Sequence, residues 1–268
     1  MNAPPEVRVQ LEDLEAGLRD TLGEALLGLY VHGSLALGCL NPARSDVDVI
    51  AVTTRPLADD ERFAVADLFL RISARPYGIE AHVVVTDQLH PWHYPPRYDF
   101  HFGESHRERL TNDREAVLAR PTQGDPDLAA HVDVVRDAGI ALVGLPPQEV
   151  FPEVPRADLE DALRRDLAWC RTVRSALYGV LSPCRVWAAL ETGELHSKAT
   201  GGEWALAGLP ADLRPPVKRA LASYCGDGAP IDLDEHERRR LLTYIEERLA
   251  SHPDASENRG SDPGVPKV

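Results

Sequence analysis

Gly33-Ser34 and, after eleven intervening residues, Asp46-Val47-Asp48 are the residues whose types and spacing could do chemistry. Their apolar surroundings read as a strand over Ser45–Val52, and alternate residues of a strand point to one face. Asp46 and Asp48 are therefore expected side by side. Two carboxylates held that closely repel, and burying both is costly unless a cation neutralises them. Hard oxygen donors of this kind suit Mg²⁺, which takes one or two carboxylates and completes its octahedron with water and phosphate. Upstream, the Gly-Ser turn offers a close-approaching backbone, N–H groups and a hydroxyl to phosphate oxygens. A phosphate cradle followed by a metal-binding strand is the equipment of phosphoryl or nucleotidyl transfer. A third acid, Glu80, opens the run Glu80-Ala81-His82-Val83-Val84-Val85-Thr86, beside an apolar ladder where packing does not account for it. It could bind the metal, or accept the proton of an attacking hydroxyl.

The elements that must position these groups are read from periodicity. Leu11, Leu14, Leu18, Leu22 and Leu26 form one apolar stripe of a helix over Val9–Leu27. A short strand at Leu29-Tyr30-Val31 runs into His32-Gly33-Ser34. A helix over Asp59–Ile72 and a third strand over Ile79–Thr86 follow, the latter rich in β-branched Val. Leu89–Gly103 reads as loop, and a further helix opens at Asp125 and ends near Gly139. Prolines cluster from Pro146 to Pro155, a candidate domain boundary. Beyond it helices are expected over Asp158–Leu181, Cys184–Leu190, Gly202–Leu209, Arg214–Tyr224 and Glu235–Leu249. The fold class is therefore α+β: an α/β domain over 1–152, a helical domain over 153–250 closing a cleft, and a disordered tail over 251–268.

Of the 268 residues, 29 are Lys or Arg against 43 Asp or Glu, a net charge of −14. This acid excess argues against a duplex nucleic acid as partner and suits a cationic small-molecule acceptor. Cys39, Cys170, Cys184 and Cys225 form no C-x-x-C pair, so they read as free thiols of a cytoplasmic protein. No apolar run approaches the roughly 20 residues a membrane helix requires, and a monomer is expected. His82, His90, His93, His101 and His106 form neither H-x-x-x-H nor H-E-x-x-H, so they are not read as a zinc site. The Trp92–Tyr94 loop is expected to pack between domains.

The run from Gly33 to Asp48 resembles the G-S-x(n)-D-x-D motif of the nucleotidyltransferase superfamily that includes DNA polymerase beta. The likeness narrows with Pro91-Trp92-His93-Tyr94-Pro95, Phe102-Gly103-Glu104, Asp125-Pro126-Asp127-Leu128-Ala129 and Ala141-Leu142-Val143-Gly144-Leu145-Pro146. Cys184-Arg185-Val186-Trp187, Thr192-Gly193, Ser197-Lys198 and Glu203-Trp204-Ala205 continue it. In that order these resemble the aminoglycoside adenylyltransferases that modify streptomycin at the 3″ and spectinomycin at the 9 position, over roughly residues 10–250. The resemblance implies ATP as co-substrate, Asp46 and Asp48 as magnesium ligands, and Glu80 as catalytic base. It also implies Gly33, Ser34 and Ser45 beside the triphosphate, Asp127 in the nucleotide site, and Arg185 with Lys198 reaching the phosphates from the helical domain.

Two departures concern the acceptor. An aromatic residue usually follows the Gly-Glu pair in that family, and here Ser105 follows it. The family's acid-bearing stretch before the helix holding Arg185 is replaced by Arg174-Ser175-Ala176-Leu177-Tyr178. The expected activity is adenylyl transfer to an aminoglycoside or aminocyclitol hydroxyl, with spectinomycin favoured over streptomycin. The rivals are the same chemistry on another small-molecule or protein acceptor, and a non-catalytic nucleotide-binding regulator, which would have degraded carboxylates.

Overall fold

The computed structural model describes residues 3–251 except 43, 122, 174 and 227–232. The tail expected over 251–268 lies outside them but for Ser251, as does Arg174. Contacts divide the chain into two compact units meeting at Asp166/Leu167. No helix of the described residues is long and apolar enough to cross a membrane.

In the first unit, helix α1 (Pro5–Leu22) buries Leu11, Leu14, Leu18 and Leu22 along one face. It stops earlier than the leucine stripe implies, because Gly23 takes φ +52° and its N–H donates to the Arg19 carbonyl. Leu26, the last residue of that stripe, instead begins strand β1 (Leu26–His32). β1 joins β2 (Val47–Thr53), β3 (Ile79–Val85), β4 (Phe100–Phe102) and β5 (Ile140–Val143) in one sheet of order β4-β3-β2-β1-β5. β2 and β3 run parallel and the other pairs antiparallel.

The sheet is buried on both faces. Val31, Val49, Ala51, Ala81 and Val83 pack with α1 and with α2 (Asp59–Ile72) in one cluster. Tyr30, Ile50, Val52 and Val84 pack on the other face with Leu128, Val132 and Val135 of α3 (Asp127–Ala138). β4 and β5 lie where a loop and the end of a helix were expected. β4 is only three residues long, and its two phenylalanines stack on Phe69 of α2, with ring centroids 6.3 and 5.4 Å away. β5 is a half-exposed edge strand without a marked apolar alternation. The segments on both sides of β4 are pinned by the buried Arg62, which donates to the carbonyls of Asp99, Val117 and Ala119 at 2.9–3.2 Å.

The expected division at 152/153 precedes the observed one by the first turns of α4 (Arg156–Trp169). Trp92 Nε1 donates to Asp158 at 2.8 Å and the Tyr94 hydroxyl to Asp161 at 2.6 Å. The Trp92–Tyr94 loop thus packs on the first turns of α4, within the first unit.

The second unit is helical: α5 (Ala176–Thr192), α6 (Lys198–Gly208), α7 (Arg214–Cys225) and α8 (Glu235–Ala250). In place of the single helix expected over Asp158–Leu181, α4 ends at Trp169 and α5 starts at Ala176, where the Ser175 hydroxyl accepts the Tyr178 N–H. Conversely, α5 continues through Pro183, where the sequence pattern implied a break. An interior proline costs about 3 kcal/mol, and the complete burial of Val180, Leu181, Cys184 and Val186 around it offsets that. Trp187, 2% exposed, meets Trp204 edge-to-face at 5.0 Å. Trp187→Ala should therefore cost about 3–5 kcal/mol, measured as a fall in the urea midpoint followed by circular dichroism.

Candidate active site

Strand register brings the acids together. Asp48 is directly opposite His32 across the antiparallel β1/β2 pair and beside Glu80 across the parallel β2/β3 pair. These three residues share the sheet face that α3 covers further along the strands. Asp46 lies just before β2, its carboxylate over Gly78: a Cβ built on that glycine would meet Asp46 Oδ1 at 2.2 Å. Gly33 follows β1 at φ +59°, and a Cβ there would meet Asp48 Oδ2 at 1.9 Å. Only glycine accommodates both the left-handed backbone and the carboxylate lying against it. Ser34 begins the next turn with its hydroxyl buried and without a hydrogen-bond partner. Ser45, by contrast, is engaged locally, its hydroxyl accepting the Asn41 N–H at 2.9 Å to close the turn that leads into β2.

Among the described residues, no three His, Cys, Asp or Glu side chains come together so as to hold a metal ion between them. The acids line an open strand end instead, an arrangement that leaves coordination positions to water or to a ligand.

Sequence reasoning missed the imidazoles. His32, His82, His101, His106 and His131 form a chain of ring contacts around Glu80. His82 stacks flat on His101 at 4.1 Å, and His106 meets His101 edge-on at 4.8 Å. His131 reaches His82 at 5.4 Å and His32 at 5.1 Å. The signal was present as a period of two in Glu80/His82 and of four in Asp127/His131, but His32 and His131 were not considered. Burial, reinforced by neighbouring imidazoles, pushes His32 and His82 well below the ordinary histidine value and keeps them neutral. The His101 ring, with Nε2 3.5 Å from Glu80 Oε1, holds the Glu80 carboxyl below the usual carboxylate range against the opposing effect of burial. Glu80 is therefore ionised at neutral pH. His131 differs from its neighbours. Burial disfavours its charge, but Asp127, 3.4 Å away on the preceding turn of α3, and the Glu80 and Asp48 carboxylates together raise it to about 9.

In the second unit, Arg185 and Lys198 occupy adjoining turns of α5 and α6. The helices touch there because Gly201 has no side chain: a Cβ on it would meet the Arg185 Cα at 2.5 Å. The Lys198 ammonium lies 4.8 Å over the Tyr178 ring, and Tyr178 in turn meets the exposed Trp169 edge-to-face at 5.2 Å. Back in the first unit, Ser105 is exposed, and the neighbouring Glu104 carboxylate accepts from Arg107 at 2.7 Å and from the Ser73 hydroxyl.

A glycine-cradled acid just before β2, a second on it and a third on its parallel neighbour are the arrangement expected of a nucleotidyltransferase. The comparisons specify which kind. Residues 149–248 match the family described as aminoglycoside adenylyltransferase, C-terminal domain. The chain is 31% identical to an aminoglycoside (3″)(9) adenylyltransferase of Shigella flexneri, over 90% of this chain and 94% of that protein. Against the enzyme of the same name from Escherichia coli it is 32% identical, covering 82% and 86%. A spectinomycin 9-adenylyltransferase of Staphylococcus aureus shares 29% identity, covering 78% and 82%. The solved spectinomycin adenyltransferase from Enterococcus faecialis, crystallised with ATP and spectinomycin, superposes with a TM-score of 0.81 at 22% identity, covering 91% of this chain and 99% of that one. The chain belongs to the aminoglycoside (3″)(9) adenylyltransferase family and is an adenylyltransferase.

His131 makes the site's contribution to stability depend on pH. Its folded value of about 9 lies above the ordinary 6.5, so its stabilising charge contacts are complete below 6.5 and lost as pH rises through 9. Wild type should lose its stability advantage over His131→Gln between those two values, measured by urea unfolding across the pH series. A difference that stays constant with pH would contradict the charged imidazole.

Proposed function

We propose that this protein transfers AMP from ATP to a hydroxyl of an aminocyclitol or aminoglycoside, spectinomycin being a better acceptor than streptomycin. The observation that carries the reaction is the ionised Glu80 held beside Asp48 by the parallel register of β2 and β3. Asp46, Asp48 and Glu80 are the hard oxygen donors that Mg²⁺ takes. The cradle fits a metal-bound triphosphate: Gly33 has no room for a Cβ beside Asp48, and the buried Ser34 hydroxyl has no protein partner. When bound, the metal supplies charge neutralisation to the phosphates and lowers the repulsion between the acids.

In this reading Glu80 accepts the acceptor's hydroxyl proton as that oxygen bonds to the α-phosphorus of ATP. The bond from the α-phosphorus to the bridging oxygen breaks, and pyrophosphate leaves. Ser34 and the Gly33 turn hold phosphate oxygens, with Ser45 setting the turn from which Asp46 extends. Asp127 is assigned to the nucleotide. Arg185 and Lys198 are assigned to the phosphate charge, which grows on the leaving group and needs cations in fixed positions.

The acceptor preference rests on what the site lacks. Streptomycin carries two guanidinium groups, which call for desolvated carboxylates and a flat surface to stack on. Ser105 provides no ring, Glu104 is committed to Arg107 and Ser73, and the aromatic face of Tyr178 already carries Lys198. Spectinomycin is smaller and carries two amines, so it depends less on such contacts. The same features favour a second reading, the same transfer to a different acceptor.

Pyrophosphate release with ATP and Mg²⁺ should give a higher kcat/KM for spectinomycin than for streptomycin. Equal or higher efficiency with streptomycin would overturn the preference. Turnover of neither would leave the second reading. Asp48→Asn should reduce transfer by at least a hundredfold with the fold intact, since it relieves a like-charge pair. Near-normal activity in that variant would sink the metal assignment.

A further inference from the structure

We propose that His101 is the positioning residue for Glu80, with His82 as its brace. The inference rests on the reading of Glu80 as the base. A glutamate at a strand end has three side-chain torsions, and Glu80 keeps 40% of its side chain exposed. A base in that situation must be held if it is to meet a hydroxyl proton in one geometry. The group that faces it at ion-pair range is His101, with Nε2 3.5 Å from Oε1.

His101 is itself held on every side. It sits at the centre of β4, and Phe100 and Phe102 on either side of it point to the opposite face, anchored against Phe69. The β3/β4 register places it directly across from His82, and the two rings lie 6° from parallel at 4.1 Å. His106 and Tyr98 close the ring's flanks edge-on, at 4.8 and 5.8 Å. The imidazole can therefore neither swing nor tilt freely, and its position is transmitted from the α2 core through two phenylalanines.

The chemistry of the ring matters as well as its shape. His101 Nε2 is buried and without a hydrogen-bond partner, with Glu80 Oε1 3.5 Å away. Burying a polar nitrogen without a partner is unfavourable, so packing alone would favour an apolar residue here. The orphan nitrogen becomes intelligible if Nε2–H donates to the Glu80 carboxylate once substrate is bound, because catalytic hydrogen bonds are commonly long before that. His82 lies beneath and contributes the flat surface that fixes the His101 ring plane.

The test is a double-mutant cycle on the full-length protein with Mg²⁺, ATP and spectinomycin. His101→Leu should lower kcat about 10–100-fold while leaving the KM for ATP within twofold, and His101→Gln, which retains an N–H donor, should recover most of the loss. In a Glu80→Gln background, His101→Leu should have no further effect. Wild-type kcat in His101→Leu overturns the proposal, and so do losses that multiply in the double variant, since those would report structural damage. Full activity in Glu80→Gln alone would instead refute the base reading. In that event, or if spectinomycin is not a substrate, the ¹⁵N-histidine spectrum decides: Glu80→Gln should displace the His101 Nε2 resonance of the intact protein, and an unmoved resonance overturns the pairing.

Discussion

The site depends on holding like charges close together. Asp48 and Glu80 are neighbours across a parallel strand pair, where backbones lie about 4.8 Å apart. Two carboxylates on neighbouring strands repel, and water at the part-exposed Glu80 screens the pair without removing the repulsion. The register cannot slip to relieve it, because a one-residue shift would turn every side chain of β2 to the wrong face. β2 carries Val47, Val49 and Ala51 into one core and Ile50 and Val52 into the other. The apolar strand thus forces the acidic strand end into place. Gly33 and Gly78 complete the constraint by removing the Cβ atoms that would push Asp48 and Asp46 away.

Around these acids the protein places imidazole rings. They form a chain of ring contacts, and burial keeps His32 and His82 neutral. The exception, His131, carries its proton because three carboxylates face it. One fixed positive charge partly offsets the acids, while the remaining rings supply shape and hydrogen-bonding capacity. A set of arginines in their place would neutralise the acids outright and compete with any metal for them.

Which parts of this were legible in the sequence follows from the range of the interactions involved. The D-x-D run, the Gly-Ser turn and Glu80 are local patterns, and the structure places Asp48 and Glu80 beside each other on neighbouring strands, with Asp46 just before β2. α2 carries both an apolar stripe and acidic first-turn residues, and its bounds agree with the sequence reading. The errors arose where a tertiary contact overrides a local preference. Leu26 fits the α1 stripe, but Gly23 ends the helix first. Pro183 reads as a helix stop, yet α5 runs through it because its surroundings are buried. β4 exists because Phe69, more than thirty residues earlier, lies beneath it. The imidazole cluster joins β1, β3, β4, the turn after it and α3, and no single stretch of sequence contains that convergence.

The second unit shows the same logic in its cations. The chain has only three lysines, Lys198, Lys218 and Lys267, against a much larger number of arginines. The lysine at position 198 is therefore a specific choice within this composition. An arginine there would stack its planar guanidinium flat on Tyr178 and fix its donors in the plane of the fork. An ammonium above the ring centre keeps a compact charge on a flexible stem, with N–H donors that rotate to meet a partner. Arg185 supplies the complementary case, a planar fork on α5, brought to the adjoining turn by the contact at Gly201. The phosphate role proposed for Arg185 and Lys198 would use both kinds of cation: one that clamps oxygens in a fixed plane, and one that follows the charge as it shifts.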